Sequence, residues 1–151
     1  MTENKIKLIE LNENIKDDYL SLDVNAWQET FVESPKDSLE AKVAKQWDID
    51  WTIDCIYADN QMIGYVMHGM DVDGNVWIDR FMIDKRYQGH GYGEESFRQI
   101  LNKINSYYTE KKHIVLSVEK HNAVAIKMYE KYGFKMTNQM DGIYPVMIEE
   151  E

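Results

Sequence analysis

Hydrophobic positions along the chain follow two periods, and their succession predicts alternating strands and helices. Strand signals, either strict alternation or runs rich in β-branched and aromatic residues, mark residues 5–10, 51–58, 62–70, 76–83, 113–118, 134–137 and 144–148. Asp-Asn and Asp-Gly pairs at 59–60, 73–74 and 141–142 predict hairpin turns between neighbouring strands. With the helices described next, the order is β-α-α-β-β-β-α-β-α-β-β, which predicts one mixed α/β sheet with helices packed against it.

Two helices are predicted near the N-terminus. The first is predicted because Ile15 and the Tyr-Leu pair at 19–20 are spaced as on one face of a helix. The second helix is predicted to begin at Ser34, since this serine can cap it, a proline follows at the first helical position, and an acid lies three residues on. Its expected buried stripe is Leu39, Val43 and Trp47.

Two further helices are predicted in the C-terminal half. The third has an apolar stripe and runs to about Tyr108; the stripe is Phe97, Ile100, Leu101 and Ile104. Asn122 is expected to cap the fourth helix, and Gly133 to end it in the left-handed conformation. No repeat or linker divides the sequence, so residues 1–151 are predicted to form a single domain.

Composition and charge narrow the class of protein. The apolar fraction of 44% argues against disorder, and a lone cysteine, Cys55, excludes an intrachain disulfide framework. With 17 Lys and Arg against 27 Asp and Glu, the net charge is -10 and no basic face is expected, so nucleic acid is not a predicted partner. Such a charge either favours solubility or attracts small cations. No apolar run approaches membrane-span length, and a cytoplasmic protein is expected.

A glycine-rich segment, residues 86–93 (RYQGHGYG), joins the β-rich strand to the third helix. Glycines at alternate positions let the backbone approach a ligand closely, and a helix N-terminus adds partial positive charge. These features favour a phosphate or pyrophosphate site, the alternative being a tight turn without a ligand. Neither the nucleotide-binding P-loop spacing nor the dinucleotide G-x-G-x-x-G fingerprint is present.

This segment resembles the signature of the GNAT superfamily of acetyl-coenzyme A-dependent N-acetyltransferases. The family pattern R/Q-x-x-G-x-G/A is matched by Arg86, Gly89 and Gly91. A second family pattern, N-x-x-A-x-x-x-Y-x-x-x-G-F, begins at Asn122 and includes Tyr129. The resemblance covers essentially the whole chain. It implies the GNAT fold, with a single mixed, mostly antiparallel sheet flanked by helices, and it implies an acetyltransferase that commonly forms a homodimer.

The same resemblance implies a set of residues that bind acetyl-CoA. They comprise backbone groups of the central strand, the glycine-rich segment and the fourth helix: Phe81, Met82, Ile83, Arg86, Gln88, Gly89, His90, Gly91, Tyr92, Gly93, Asn122 and Tyr129. Tyr129 holds the position of the family's general acid, which protonates the departing thiolate. Without the resemblance it would be interpreted as a core tyrosine, and Asn122 as a helix cap only.

A closer resemblance is to the bacterial spermine and spermidine acetyltransferases. It rests on residues 76–93 and on an acidic residue, Glu33, that precedes Ser34. An alkylammonium group with a pKa near 10.4 is neutral in only about one part in 10³ at pH 7, so attack on a thioester needs a proton acceptor. Asp79 and Glu33 are the candidates, and each would also attract a polycationic acceptor. The alternative for Asp79 is a surface residue paired with Arg80 or a lysine.

The sequence therefore predicts transfer of acetyl from acetyl-CoA to a polyamine by direct attack through a tetrahedral intermediate. Another small amine, an aminoglycoside or a protein N-terminus is the same-fold alternative, and a non-catalytic coenzyme A-binding module is the alternative from another class. The histidines lack metal-ligand spacing, so no metal is predicted. Trp27, Phe31 and Trp77 are candidates to line an acceptor channel.

Overall fold

A computed structural model describes residues 6–23 and 34–149, and its elements follow the predicted order. The strands are β1 Ile6–Glu10, β2 Thr52–Ala58, β3 Gln61–Met70, β4 Val76–Ile83, β5 Ile114–Ser117, β6 Phe134–Asp141 and β7 Tyr144–Glu149. The helices are α1 Lys16–Leu20, α2 Pro35–Val43, α3 Tyr92–Tyr107 and α4 Ala123–Lys131. Short 3-10 turns occupy Gln46–Asp48 and Lys85–Tyr87. No helix in the described ranges is long and apolar enough to span a membrane.

The strands form one seven-stranded sheet in the order β1-β2-β3-β4-β5-β7-β6. Only β4 and β5 are parallel, and every other neighbouring pair is antiparallel. The predicted mixed, mostly antiparallel sheet is therefore confirmed. Because α3 connects the parallel pair, its N-terminus lies at the edge of the sheet where β4 ends.

Helices cover both faces of the sheet, so two hydrophobic clusters form. The stripe predicted for α3 is buried on one face, where Phe97 and Ile104 pack with strand residues that include Ile78 and Leu116. The other face carries a cluster around Trp51, with side chains from α1 and α2. Covering both faces explains why β2 and β3 are buried almost throughout.

The start of α2 is confirmed, but only Leu39 of its predicted buried stripe packs against the core, where it is half-buried beside the cluster around Trp51. The Ser34 side chain accepts a hydrogen bond from the Asp37 N–H, as a capping residue should. However, Val43 is 77% exposed and Trp47 is 59% exposed. The helix ends at Val43, and Trp47 lies beyond it with a φ of 60°, so the helical period no longer applies there. A different face points inward, formed by Pro35, Ser38 and Ala41.

A buried polar network fastens the far end of α3 to the sheet. His68 Nε2 lies 2.6 Å from Asp54 Oδ2, and the His68 Nδ1 lies 2.6 Å from the Tyr108 hydroxyl. Lys103 donates to the other oxygen of the Asp54 carboxylate. Although burial acts to raise it, the pKa of Asp54 is lowered because His68 and Lys103 donate to the ionised form. The adjacent Cys55 is buried, as expected of a small apolar residue, and burial raises its pKa to about 12.

Candidate active site

The parallel strands β4 and β5 part after a short contact, and a cavity lies where they part. Their ladder pairs Val76–Ile78 with residues 114–116. Beyond that point β4 stays paired with β3 as far as Ile83, and β5 stays paired with β7 on its other side. The opening holds a cavity of about 960 Å³, which we call the main cavity. The β4 edge there carries backbone groups that an extended ligand can pair with.

A β-bulge in β4 sits at the point of separation. In the ladder with β3, Met67 lies opposite Arg80 and His68 lies opposite Ile78, so Asp79 is the extra residue. A bulge increases the local twist and redirects side chains, and it is often found next to active sites. Here it directs β4 away from β5 and places Asp79 in the lining of the main cavity.

Asp79 is paired with the neighbouring arginine, as the alternative interpretation of this residue expected, but it is not on the surface. Its Oδ2 lies 3.0 Å from Arg80 Nε, and both side chains are largely buried. The same guanidinium group also donates from Arg80 Nη2 to Gln46 Oε1 at 3.3 Å. The Asp79 carboxylate is therefore held in a fixed position within the cavity wall.

The glycine-rich segment closes one end of the main cavity. Gly89 and Gly91 have φ values of 81° and 80°, in the left-handed region that side chains rarely adopt. Nothing lies within 4 Å of where their Cβ atoms would be, so the backbone is open on that side. Gly91 is the N-cap of the 16-residue helix α3, whose first N–H groups have no partner within the helix. This geometry suits an anion.

Asp84 holds the glycine-rich segment to the remainder of the fold. Its fully buried carboxylate accepts hydrogen bonds from the Arg86 N–H, from Arg86 Nε and Nη2, and from the Asp23 N–H, at 2.8–2.9 Å. Burial acts to raise the pKa of Asp84, but these donors outweigh it and the pKa is lowered. The Arg86 guanidinium, predicted to bind coenzyme A, is thus directed to Asp84.

The helix α4 forms the opposite wall. Asn122 caps it, as predicted, by accepting a hydrogen bond from the Ala125 N–H at 3.3 Å. Tyr129 lines the main cavity, with its ring packed against those of Phe97 and Phe134 at centroid distances of 5.0 and 6.2 Å. Burial among these rings raises the pKa of Tyr129 to about 12, so its hydroxyl keeps its proton at neutral pH.

An ion pair joins the two helices across the mouth of the cavity. Glu94, in the first turn of α3, accepts hydrogen bonds from Lys131 Nζ at 2.7 Å and from the Tyr132 hydroxyl at 2.8 Å. These donors lower the pKa of Glu94. Because Lys131 offsets its charge, a carboxylate next to the glycine-rich segment remains compatible with an anion there.

The structure brings most of the predicted site residues to the main cavity. Those that line it are Asp79, Phe81, Met82, Ile83, Gln88, Gly89, Gly93, Asn122 and Tyr129. Four others belong to the glycine-rich segment but not to the lining, namely Arg86, His90, Gly91 and Tyr92. Glu33, Trp27 and Phe31 lie outside the described residues.

Sequence reasoning missed several residues that line the main cavity. They are Ser117 at the end of β5, Glu119 and His121 after it, Tyr87 in the 3-10 turn after β4, and Tyr144 at the start of β7. The end of β5 could have indicated the first three, because residues that follow adjacent parallel strands meet at one edge of the sheet. No local signal marks Tyr144.

Comparison with known proteins identifies the family. The model of the acetyltransferase (GNAT) family matches residues 13–134, which is most of the chain. This chain belongs to the GNAT acetyltransferases. It is accordingly an acetyl-CoA-dependent N-acetyltransferase, and the expected family is confirmed.

Among characterised relatives, this GNAT enzyme is 32% identical over 129 residues to the spermine/spermidine N(1)-acetyltransferase of Bacillus subtilis (strain 168). The match covers 81% of this chain and 82% of the relative. A probable spermine N(1)-acetyltransferase of Bacillus subtilis subsp. natto matches at the same identity and coverage.

Solved structures confirm the GNAT fold. The PaiA N-acetyltransferase of Thermoplasma acidophilum, in complex with coenzyme A, superimposes with a TM-score of 0.71 at 19% identity, over 97% of this chain and 99% of that one. The spermidine N-acetyltransferase of Vibrio cholerae, in complex with CoA and spermine, gives 0.70 at 18% identity, over 95% and 92% of the two chains.

We predict that Asp84→Asn destabilises the enzyme by about 2 kcal/mol at pH 7, because the buried acceptor of charged hydrogen bonds loses its charge. Since the folded state lowers the pKa of Asp84, this stabilisation is full above the unfolded value near 4 and is lost as pH falls through the folded value. Urea unfolding of wild type and Asp84→Asn at pH 7 and at about pH 3 measures the destabilisation and its decrease at low pH.

Asp23→Asn is the matched control, since the Asp23 side chain forms a half-exposed pair with Lys85 and should contribute less than about 1 kcal/mol. An Asp84→Asn effect that is the same at both pH values would contradict the electrostatic account.

Proposed function

We propose that this enzyme transfers an acetyl group from acetyl-CoA to a primary amine of a polyamine such as spermidine or spermine. The observation that carries the proposal is that one cavity, beside an anion-suited glycine-rich segment, is lined by both Asp79 and Tyr129. Similarity to a spermine/spermidine N(1)-acetyltransferase at 32% identity supports the choice of acceptor class.

The main cavity fits an extended, phosphate-bearing co-substrate. The glycine-rich segment and the N-terminus of α3 suit a pyrophosphate, and the open edge of β4 at Phe81–Ile83 suits amide groups of an extended arm. Gln88 and Asn122 also line the cavity, where the Gln88 side-chain amide donates to the Ile83 carbonyl oxygen and the Asn122 side chain caps α4. Acetyl-CoA, when bound, would supply an activated acetyl group, with the thiolate of coenzyme A as the leaving group. Direct transfer of this group to the amine requires no nucleophile from the protein.

On the acceptor side, the proposed role of Asp79 is to hold the positive charge of the amine and to receive its proton, directly or through water. The bulge fixes this carboxylate in the cavity wall, and pairing with Arg80 keeps it in place. Glu33, the second candidate, lies outside the described residues, so its role stays a prediction.

On the opposite wall, the proposed role of Tyr129 is to donate its proton to the departing thiolate. A hydroxyl whose pKa is raised to about 12 is a proton donor, not a base, at the pH of the reaction. The neighbouring rings Phe97 and Phe134 fix the position of the phenol and exclude water from one side of it.

The experiment that tests the proposal measures free-thiol release from acetyl-CoA with spermine, spermidine, putrescine, lysine and an aminoglycoside as acceptors. We expect release with the longer polyamines, since they present several ammonium groups along a flexible chain to an enzyme of net charge -10. Release with lysine or the aminoglycoside alone would contradict a polyamine acceptor. Release with none of them, while acetyl-CoA binds, would move the function to an amine outside the panel.

We predict that Tyr129→Phe lowers kcat by about 10²–10³ while leaving the affinity for acetyl-CoA unchanged, because only the proton donor is removed. Steady-state kinetics and calorimetry measure the two quantities. Tyr132→Phe is the matched control: Tyr132 directly follows the same helix, its hydroxyl donates to Glu94, and it is absent from the cavity lining. Equal kcat values for wild type and Tyr129→Phe would remove Tyr129 from the reaction.

We predict that Gly91→Asp abolishes measurable acetyl-CoA binding, because a carboxylate at the N-cap of α3 repels a pyrophosphate. Gly91→Asn is the matched control, since asparagine has the same shape without the charge and tolerates the left-handed backbone at this position. Calorimetry should show strong loss for the aspartate and a small loss for the asparagine. Equal affinities for both variants would argue that no pyrophosphate binds at this loop.

A further inference from the structure

A second cavity, of about 220 Å³, has two tryptophans and two aspartates among the residues that line it. We call it the indole cavity, and its lining is Trp47, Ile49, Asp71, Trp77 and Asp141. These residues come from four separate parts of the described chain. Trp47 and Ile49 lie between α2 and β2, Asp71 lies in the β3–β4 turn, Trp77 lies in β4, and Asp141 ends β6. None of them belongs to the lining of the main cavity.

The wall formed by Trp77 and Asp71 is built rigidly. Trp77 Nε1 donates to Asp71 Oδ2 at 2.9 Å, which fixes the orientation of the indole. Asp71 Oδ1 accepts from the N–H groups of Asp73 and Asn75 at 2.9 and 3.0 Å. The three hydrogen bonds that Asp71 accepts come from neutral N–H groups, which orient the carboxylate without supplying a positive charge.

The opposite wall carries Trp47 in an unusual conformation. Trp47 has a φ of 60°, and Lys45 and Asp48 on either side also have positive φ values. Its indole remains 59% exposed and makes an edge contact with Trp51, at 6.2 Å between ring centroids. A large aromatic side chain that the backbone holds towards solvent beside a cavity offers a free ring face to a ligand.

The chemistry of this lining selects an organic cation. Indole faces attract cations through their quadrupole, and an ammonium group on an alkyl chain satisfies both the rings and the carboxylates. Two carboxylates exclude an anion. A metal ion is not favoured, since the described residues contain no group of three or more His, Cys, Asp or Glu side chains that could hold one.

The indole cavity adjoins the acceptor end of the main cavity at two places. On β4, Trp77 lines the indole cavity, while Asp79, two residues on, lines the main one, which is roughly 7 Å along a strand. In the hairpin at the other side, Asp141 lines the indole cavity and its cross-strand partner Tyr144 lines the main one. A single flexible chain with ammonium groups at both ends can therefore contact both.

We propose that the indole cavity binds a second ammonium group of the acceptor while the reacting amine lies at Asp79. The proposal rests on the polyamine function proposed above, and it assigns Trp47, Trp77 and Asp141 to recognition of the distal end. Binding at both cavities would let the enzyme select acceptors by the spacing of their charges, because a monoamine can reach only the main cavity.

The test compares Asp141→Asn and Trp47→Leu with wild type, using spermidine and an alkyl monoamine as acceptors. We expect KM for spermidine to rise about tenfold in each variant with kcat nearly unchanged, and the kinetics of the monoamine to stay as in wild type. Asp73→Asn is the matched control, because it removes one negative charge from the β3–β4 turn, which also holds Asp71, at a residue outside the lining of the indole cavity. Its KM for spermidine should stay within about twofold of wild type.

Direct binding separates this proposal from the function on which it rests. Calorimetric titration of the enzyme with spermidine should show an affinity that falls about tenfold in Asp141→Asn and Trp47→Leu, whether or not turnover occurs. If wild type acetylates spermidine but the variants keep its KM and affinity, the indole cavity has no role and the proposed function stands. If wild type neither acetylates nor binds spermidine, both fail. Equal losses for Asp73→Asn and Asp141→Asn would indicate net charge alone and would overturn the site.

Discussion

The separation of β4 from β5 is the constraint on which the rest of the structure depends. Parallel strands end at the same edge of a sheet, so α3 and α4, which follow them, both begin at that edge with their N-termini towards the opening. A ladder limited to Val76–Ile78 on β4 leaves room between these helices for a cavity of about 960 Å³. The bulge at Asp79 provides the extra twist that turns β4 away.

Contacts on the other side of β4 hold the strand in place beside the opening. The backbone of β4 loses β5 as a neighbour beyond Ile78, but it keeps β3 on its other side up to Ile83. Gly64 makes this pairing close, because a Cβ there would lie 2.1 Å from the Met82 carbonyl oxygen. Asp84 then fastens the end of β4 to the segment after α1 through the Asp23 N–H. One edge of β4 is thus held firmly while the other remains available to a ligand.

Charge is arranged differently at the two ends of the cavity. Near the glycine-rich segment, Asp84 and Glu94 are each paired with a cation, so the local field does not oppose an anion. Near the proposed acceptor end, Asp79 is paired with Arg80, and Asp71 in the neighbouring indole cavity accepts its hydrogen bonds from neutral N–H groups. An overall charge of -10 is therefore compatible with binding a polyanionic co-substrate at one end and a polycationic acceptor at the other.

The sequence by itself determined the elements whose signals are local. The bounds of β4, the stripe of α3, the Ser34 and Asn122 caps and the position of the glycine-rich segment all follow from interactions between near neighbours in the chain. Local patterns failed at Trp47, because the backbone reverses beyond α2 and ends the helical period. Only the tertiary structure decided the bulge at Asp79 and the hydrogen bonds from Arg86 to Asp84. It alone also decided that Tyr144 and Asp141 line the same cavities as residues of β4. These depend on strand register and on contacts between distant segments, for which the chain carries no periodic signal.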